Sequence, residues 1–260
     1  IGFSDIQADI AQQLIKKGIT VWVNNHRSVE EIMKMIVQLG ALVGRTETCL
    51  DLVQHYQKRI LEIQELTSLW KAKPKIYFEE WYDPLISGIQ WVSELIEMAG
   101  GIDLFAENGK ESLAKNRIIA KHQEVLNRDP DLILVSWCGK KFKPKRMFER
   151  EGWRDTKAFK NDDYHEIDSG IILQPGPASI SEGLEIMHKI FSNWVKKMDT
   201  KKSKLFFNWS SGKNSSFALY ELLQQNRFEI STLLTTVGME TERIGMHGLR
   251  ESLLRPLEFH

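Results

Sequence analysis

Apolar positions along the chain set the first reading. Ile6, Ile10 and Leu14 share one helical face behind Ser4-Asp5-Ile6-Gln7, which reads as a capping box, and Gly18 ends the run. Ile19-Thr20-Val21-Trp22-Val23 is rich in β-formers and predicts a short strand. Ser28-Val29-Glu30-Glu31 is a second capping box, ahead of Ile32, Ile36, Leu39 and Val43 at helical spacing. Helix, strand, helix is the rhythm of an α/β domain with a parallel sheet. From Thr46 to Lys73, Val53, Tyr56, Ile60, Ile63 and Trp70 keep helical spacing with no Gly or Pro between them. The spacing predicts a helix of about 25 residues, about 38 Å long at the standard rise. That exceeds the usual globular helix and is too short to sustain a coiled-coil seam. A rigid spar joining two lobes fits it.

Pro74 breaks the spar. Lys75-Ile76-Tyr77-Phe78-Glu79-Glu80 predicts a strand, and Trp81-Tyr82-Asp83-Pro84 a loop at its C-terminal end. Ile89, Val92, Leu95 and Ile96 form a helix face that stops at Gly100-Gly101. Arg117 to Leu126 reads as helical, Leu132 to Trp137 as a buried strand, and Tyr164 to Ile167 as another strand. Ser179 and Glu182 read as a third capping box, for a helix carrying Leu184, Met187, Phe191 and Trp194. Lys196 to Lys204 is polar and basic, as linkers are. Leu205 to Trp209 then predicts a strand, which runs through small polar residues into a helix with Leu219, Leu222 and Leu223. Ile230 to Thr236 predicts a further strand.

Composition narrows the function classes. Of 260 residues, 35 are Lys or Arg and 35 are Asp or Glu, so the net charge is zero. This excludes a strongly basic nucleic-acid binder and an acidic disordered tail. No apolar run is long enough to predict a membrane-spanning helix. Two cysteines, Cys49 and Cys138, make neither a disulfide framework nor a cysteine-rich zinc site. The chain starts at Ile1 rather than Met, so a fragment or a processed chain is expected.

Candidate chemistry is sparse. None of the seven His pairs with another at HxxxH or HExxH spacing, so no metal site is expected. Glu79 and Glu80 alternate faces on a strand and cannot act as a dyad, and at most one faces a cleft. Position is more informative than motif. In open α/β sheets, ligands bind beyond the carboxyl ends of the strands. Here those ends carry Asn24-Asn25, Glu80-Trp81-Tyr82 and Trp137-Cys138. Two carry Trp, in a chain with eight of them. An aromatic-lined cleft suits a large, partly flat ligand held by stacking and a few polar contacts. The competing reading is that Trp81 and Trp137 merely cap the sheet.

These residues resemble a known group. Residues 2–198 resemble the cobalamin-binding proteins among the substrate-binding proteins of iron-siderophore and vitamin B12 ABC transporters. The resembling runs are Gly2-Phe3-Ser4-Asp5-Ile6-Gln7, Arg27-Ser28-Val29-Glu30-Glu31-Ile32 and Glu80-Trp81-Tyr82-Asp83-Pro84-Leu85-Ile86-Ser87-Gly88. Ser136-Trp137-Cys138-Gly139-Lys140-Lys141-Phe142 and Leu173-Gln174-Pro175-Gly176-Pro177 extend the resemblance. It implies an α/β fold of two Rossmann-like lobes joined by one long helix, the class III periplasmic-binding-protein type, with the first lobe incomplete at its N-terminus. The implied divisions are 1–44 for the remainder of the first lobe, 45–73 for the linking helix and 74–198 for the second lobe, with 199–203 as linker. Cobalamin or a related corrinoid is the implied ligand, bound without chemistry by the substrate-binding component of an uptake system or by a cytoplasmic corrinoid binder. Trp81, Trp137 and Cys138 would meet it at the cleft, with Glu80 and Tyr82 beside them. Glu30 matches the position at which such proteins dock on basic residues of an ABC-transporter permease. A siderophore or haem would suit the same fold.

The tail, 204–260, resembles something else. Phe207-Asn208-Trp209-Ser210-Ser211-Gly212-Lys213-Asn214-Ser215 looks like the pyrophosphate loop of N-type ATP pyrophosphatases. Thr235-Thr236-Val237 and Arg243-Ile244-Gly245-Met246-His247-Gly248-Leu249-Arg250 narrow the resemblance to the diphthine–ammonia ligase-like family. It implies a partial HUP-like α/β unit binding ATP, with Mg, through Ser210, Ser211, Gly212, Lys213, Asn214 and Ser215. A strand turning into a helix through small residues presents backbone N–H groups and hydroxyls to an anion. The sequence departs from that family in having Asn214 where Asp is usual, and Arg255 to His260 does not continue the preceding helix. The rival function is therefore an ATP-dependent amide-forming ligase with an N-terminal ligand-binding domain, and in a complete parent protein. ATP chemistry in the tail and two cysteines without a disulfide framework favour the cytoplasm, with an extracytoplasmic or periplasmic site, from the transporter reading, as the alternative.

Overall fold

Capping chemistry and apolar faces decide where the first elements lie in the computed structural model, which describes residues 8–200, 203–225, 228–244, 248 and 250. The capping box expected at Ser4 and Gln7 lies outside the described residues, as do Gly245, Met246, His247, Leu249 and 251–260. Helix α1 (Ala8–Lys16) buries none of its side chains, and Gly18 after it takes a positive φ. Residues 19–23, expected as a strand, form no ladder among the described residues, although Val23 makes an isolated β-bridge. Ile19, Trp22 and Val23 are exposed, and β-formers gain a ladder only when a neighbour supplies the other half. Helix α2 (Val29–Leu42) starts at the expected box: the Glu31 N–H donates to Ser28 Oγ at 3.1 Å, and the Ser28 N–H donates to Glu31 Oε2. The Val29 N–H donates to Glu94 Oε2 at 2.7 Å, fastening this helix start to a later helix.

Helix α3 (Thr46–Ser68) is 23 residues long, about 35 Å at the standard rise, and ends before the expected Lys73. It buries Val53, Ile60, Ile63 and Thr67. After Pro74 come β1 (Lys75–Glu79) and a tight hairpin, β2 (Trp81–Tyr82) and β3 (Leu85–Ile86), turning through a cis Asp83–Pro84 bond. The expected loop at 81–84 is thus the first half of a two-stranded ladder. Helix α4 (Gln90–Met98) follows and stops at Gly100, φ +95°. A side chain there would lie 2.6 Å from Thr67 Cγ2 and from Trp70, so glycine lets the end of α3 approach.

Strand β4 (Ile102–Asp103), α5 (Ala106–Gly109), a 3-10 turn at Ala114–Arg117 and α6 (Gln123–Arg128) lead to β5 (Leu132–Val135). The helix expected from Arg117 begins only at Gln123. Residues 117–119 instead lie along β3, with Ser87 N–H donating to Arg117 O and Ile119 N–H to Leu85 O. Helices α7 (Pro144–Phe148) and α8 (Lys157–Lys160) precede β6 (Tyr164–Glu166), and α9 (Ser169–Ile172) follows it. A π turn at Ser179–Gly183 runs into α10 (Leu184–Thr200). The third capping box is absent: Ser179 Oγ donates to Gly176 O at 2.8 Å, and its backbone already lies inside the helical turn.

The four longer-range strands form one parallel sheet in the order β4-β1-β5-β6. Strand alternation splits the core into two layers. Ile76, Phe78, Leu132 and Leu134 face α2, α3, α4 and α10, where Ile32, Ile63, Leu95 and Phe191 are buried. Tyr77, Ile133 and Val135 face the other way, onto Phe105, Trp137, Met147 and Trp153. Glu79 shares the face of Tyr77. Arg59 of α3 holds Glu185 of α10 through two bonds, at 2.5 and 3.0 Å.

The chain divides into two compact units, 1–195 and 196–260. In the second, β7 (Ser203–Asn208) and β8 (Phe228–Leu234) pair in parallel, joined by helix α11 (Lys213–Gln224).

Candidate functional site

The carboxyl ends of β1 and β5 lie side by side, because Glu79 is in register with Val135. The segments leaving the two strands therefore meet. Trp137, just past β5, is buried and forms a floor. Tyr82 lies against it at 4.6 Å between ring centroids, and Trp81 stacks on Tyr82 at 5.0 Å. Phe142 closes the far edge of Trp137 at 5.3 Å. Cys138 is exposed one residue beyond the floor.

Cations crowd this deck. Lys140 Nζ lies 4.9 Å from the Trp81 ring centre, and the Arg146 guanidinium lies 4.5 Å from that of Tyr82. Lys140 also donates to the Tyr82 hydroxyl at 3.4 Å. That bond, aided by the Arg146 charge, holds the phenol below its usual range. A groove of about 640 Å³ opens beside the deck, lined by Tyr82, Pro84, Ile119, His122, Arg146 and Arg150 among others. A second recess of about 490 Å³ lies at the ends of β5 and β6, between Trp137, Lys140 and Asp168. Both are of the size that small ligands occupy.

Underneath lies a polar network that the sequence pattern does not reveal. Glu79 has no exposed surface. Arg150 donates to both of its oxygens, at 2.6 and 3.0 Å. Trp137 Nε1 donates to it at 3.0 Å and the Tyr77 hydroxyl at 3.2 Å. Burial, with the Glu79 charge, pushes the Tyr77 hydroxyl well above its usual range. Glu80, on the opposite strand face, is held by Arg117 at 2.6 and 3.1 Å. Both carboxylates are thus engaged by guanidinium groups. Arg150 lies 71 residues from Glu79 and Arg117 lies 37 from Glu80, so no local spacing signals either pair.

In the second unit, the loop from β7 into α11 carries Ser210, Ser211 (φ +59°) and Gly212, the N-cap. Ser210 Oγ donates to Ser215 Oγ at 3.1 Å, and Ser215 Oγ donates to Gly212 O at 2.9 Å. Lys213 and Asn214 are exposed at the helix start. Glu30 is exposed in the first turn of α2 and pairs with Lys34 at 2.6 Å. Among the described residues no cluster of His, Cys, Asp and Glu could hold a metal ion, and no helix is long and apolar enough to cross a membrane.

Comparison with known proteins places the fold. The uncharacterized ABC transporter substrate-binding lipoprotein YvrC of Bacillus subtilis is 26% identical over 206 residues, 73% of this chain and 59% of that protein. The high-affinity heme uptake system protein IsdE of Staphylococcus aureus is 22% identical over 54% of this chain and 49% of its own length. The chain thus spans about half to three fifths of these relatives. Among solved structures, an ABC transporter substrate-binding protein from Listeria monocytogenes matches with a TM-score of 0.62 at 17% identity, over 74% of this chain and 75% of that one. The periplasmic vitamin B12 binding protein BtuF of Vibrio cholerae matches with a TM-score of 0.54 at 17% identity, over 72% and 71%. These likenesses establish the class III α/β periplasmic-binding fold. Residues 1–170 match the periplasmic binding protein family, and the chain belongs to it.

Proposed function

We propose that this chain is the ligand-capturing component of an ABC uptake system, and that its ligand is cobalamin or a related corrinoid. The observation that carries the reading is the aromatic deck, in which Trp81 and Tyr82 are layered on Trp137 where two parallel strands end. Such a surface gives a flat macrocycle an apolar contact through Trp81 and Tyr82, seated on the buried Trp137, and the surrounding Lys140 and Arg146 supply polar partners for its edge. No general base, nucleophile or metal is needed, because capture involves no bond making. The B12 binder and the heme uptake protein among the similar chains favour a macrocyclic ligand, with haem the rival macrocycle and a siderophore the rival of another class. Glu30, exposed on α2, would meet a basic residue of the permease, and capture would then take place outside the cytoplasmic membrane.

Titration of the chain with cyanocobalamin, followed by Trp fluorescence and calorimetry, tests this. Saturable quenching at one-to-one stoichiometry is expected. Saturation by haem or a ferric siderophore, with no response to cyanocobalamin, overturns the corrinoid and keeps the capture role. No response to any of them overturns both.

A second reading rests on a separate observation. Strand β7, the serine-rich turn and α11 form a parallel β-α-β unit with small residues at the helix start. That arrangement suits a pyrophosphate group, with Lys213 as a point charge. It would make the complete parent protein an ATP-dependent amide-forming ligase acting in the cytoplasm. Release of pyrophosphate from Mg-ATP by the full-length parent with a carboxylate substrate and ammonia is the expected result. Its absence across carboxylate substrates counts against this reading.

A further inference from the structure

We infer that Arg150 and Arg117 are positioning residues that set the aromatic hairpin over its floor, one guanidinium on each side. The inference rests on the capture reading of the deck but assigns roles to residues outside it. The hairpin residues 81–86 have few ladder bonds of their own, since β2 and β3 are two residues each. An isolated hairpin of that length has no independent stability. Residues 117–119 pair along β3, but β2, which carries Trp81 and Tyr82, needs a further anchor.

The geometry identifies it. Arg150 donates to Glu79 through two bonds and, with its remaining capacity, to the Tyr82 carbonyl at 3.1 Å. Glu79 in turn accepts from the indole N–H of Trp137 at 3.0 Å. One buried ion pair therefore ties the hairpin backbone and the floor ring to the same two side chains. On the other side, Arg117 donates to Glu80 through two bonds and to the Ser87 carbonyl at 2.5 Å. The hairpin is held just before its turn by Arg150 and just after its second strand by Arg117. Strand alternation makes this possible, because neighbouring Glu79 and Glu80 point to opposite faces and each recruits its own guanidinium. A planar fork with five donors can serve a carboxylate and a carbonyl together, whereas an ammonium presents a single point. Arg117 is buried away from any ligand. Arg150 also lines the groove beside the deck, and the near-UV signal of the rings separates a positioning role from a direct ligand contact, whose loss would leave that signal unchanged.

The experiment compares the full chain with Arg150→Lys and with the double variant Glu79→Gln, Arg150→Met. The double variant removes both charges together, so no buried carboxylate is left unpaired, and the introduced amide still offers an oxygen to Trp137 Nε1. Each protein is followed by thermal unfolding, near-UV circular dichroism and titration with cyanocobalamin and with haemin. Both variants should fold cooperatively, lose the near-UV signal of the coupled Trp81, Tyr82 and Trp137 rings, and bind the ligand of the wild type roughly tenfold or more weakly. Arg150→Lys should recover no more than part of either property, since charge alone is not what positions the hairpin. A folded variant with wild-type near-UV signal and wild-type affinity overturns the inference. If Arg150→Lys unfolds, the double variant decides, and a double variant that also unfolds reduces Arg150 to a stability role and overturns the inference as well. Should the wild type bind neither probe, the capture reading fails separately, while the near-UV comparison still tests the positioning of the rings.

Discussion

Two tryptophans at matching strand ends have different physical roles. Trp137 is buried, and its indole N–H is committed to Glu79. Removing it empties the floor and takes a donor from a buried carboxylate. Trp137→Ala should therefore cost about 3–5 kcal/mol of folding stability, measurable by urea denaturation. Trp81 is only half-buried, and its ring leans on Tyr82. Trp81→Ala should cost about 1 kcal/mol of stability while abolishing most of the ligand-induced quenching. Equal binding by Trp81→Ala and wild type would remove Trp81 from the site. Asp103 gives a pH-dependent prediction. Burial pushes its carboxyl above the usual range, against the bonds from Ser93 Oγ and the Phe105 N–H. The native state then holds this proton more tightly than the unfolded chain does. Its contribution is fully present below the unfolded pKa, near 3.8, and is lost as pH rises through the higher folded value. Asp103→Asn, whose oxygen can accept from the Phe105 N–H while its NH2 donates to Ser93 Oγ, should flatten that decline and leave the variant at least as stable at neutral pH. Urea midpoints taken from about pH 4 upward test it, and an unchanged slope would refute it. That Trp81, Tyr82 and Trp137 come together was legible because strand-end position is a local property. Arg150 and Arg117 were not, since a buried ion pair between distant residues leaves no periodic trace.

Elements were legible where their determinants are local. The α2 capping box is one such case, and it can be weighed. Ser28→Ala removes the acceptor of the Glu31 N–H and should cost about 1 kcal/mol. A loss below the error of thermal denaturation would mean that the Val29 bond to Glu94 alone sets the helix start. The long α3 was equally legible, because unbroken apolar spacing over many turns has few other solutions. Most of the failures share a cause. Residues 19–23 have the composition of a strand, but only Val23 forms a bridge. Residues 117–126 have the composition of a helix, but 117–119 are captured by β3. The turn at Asp83–Pro84 reads as loop because each arm of its hairpin is two residues long. Ser179 and Glu182 have the spacing of a box, yet the Ser179 hydroxyl is already bonded to Gly176. In the last three cases a tertiary partner or a competing local bond overrides the pattern.

At the scale of the molecule, the two units differ in how much they bury. Residues 1–195 carry a four-stranded sheet with apolar layers on both faces. Among the described residues of 196–260 the sheet has two strands, α11 buries no residue, and Phe206, Phe217, Tyr220 and Leu223 are largely exposed. Hydrophobic stabilisation scales with the area removed from water, and two strands with one helix give little of it. Differential scanning calorimetry should therefore resolve two transitions, with 196–260 melting first. Ligands then sort the two functional readings, because a ligand stabilises only the unit that binds it. Cyanocobalamin at a hundredfold excess over its Kd should raise the upper transition by about 2.7 kcal/mol of stability and leave the lower one in place. Pyrophosphate or Mg-ATP should do the reverse if the serine-rich turn holds a phosphate. A single transition moved by both ligands would mean that the units unfold as one. Neither reading could then be assigned to a unit by stability, and mutation at Trp81 and at Lys213 would have to separate them.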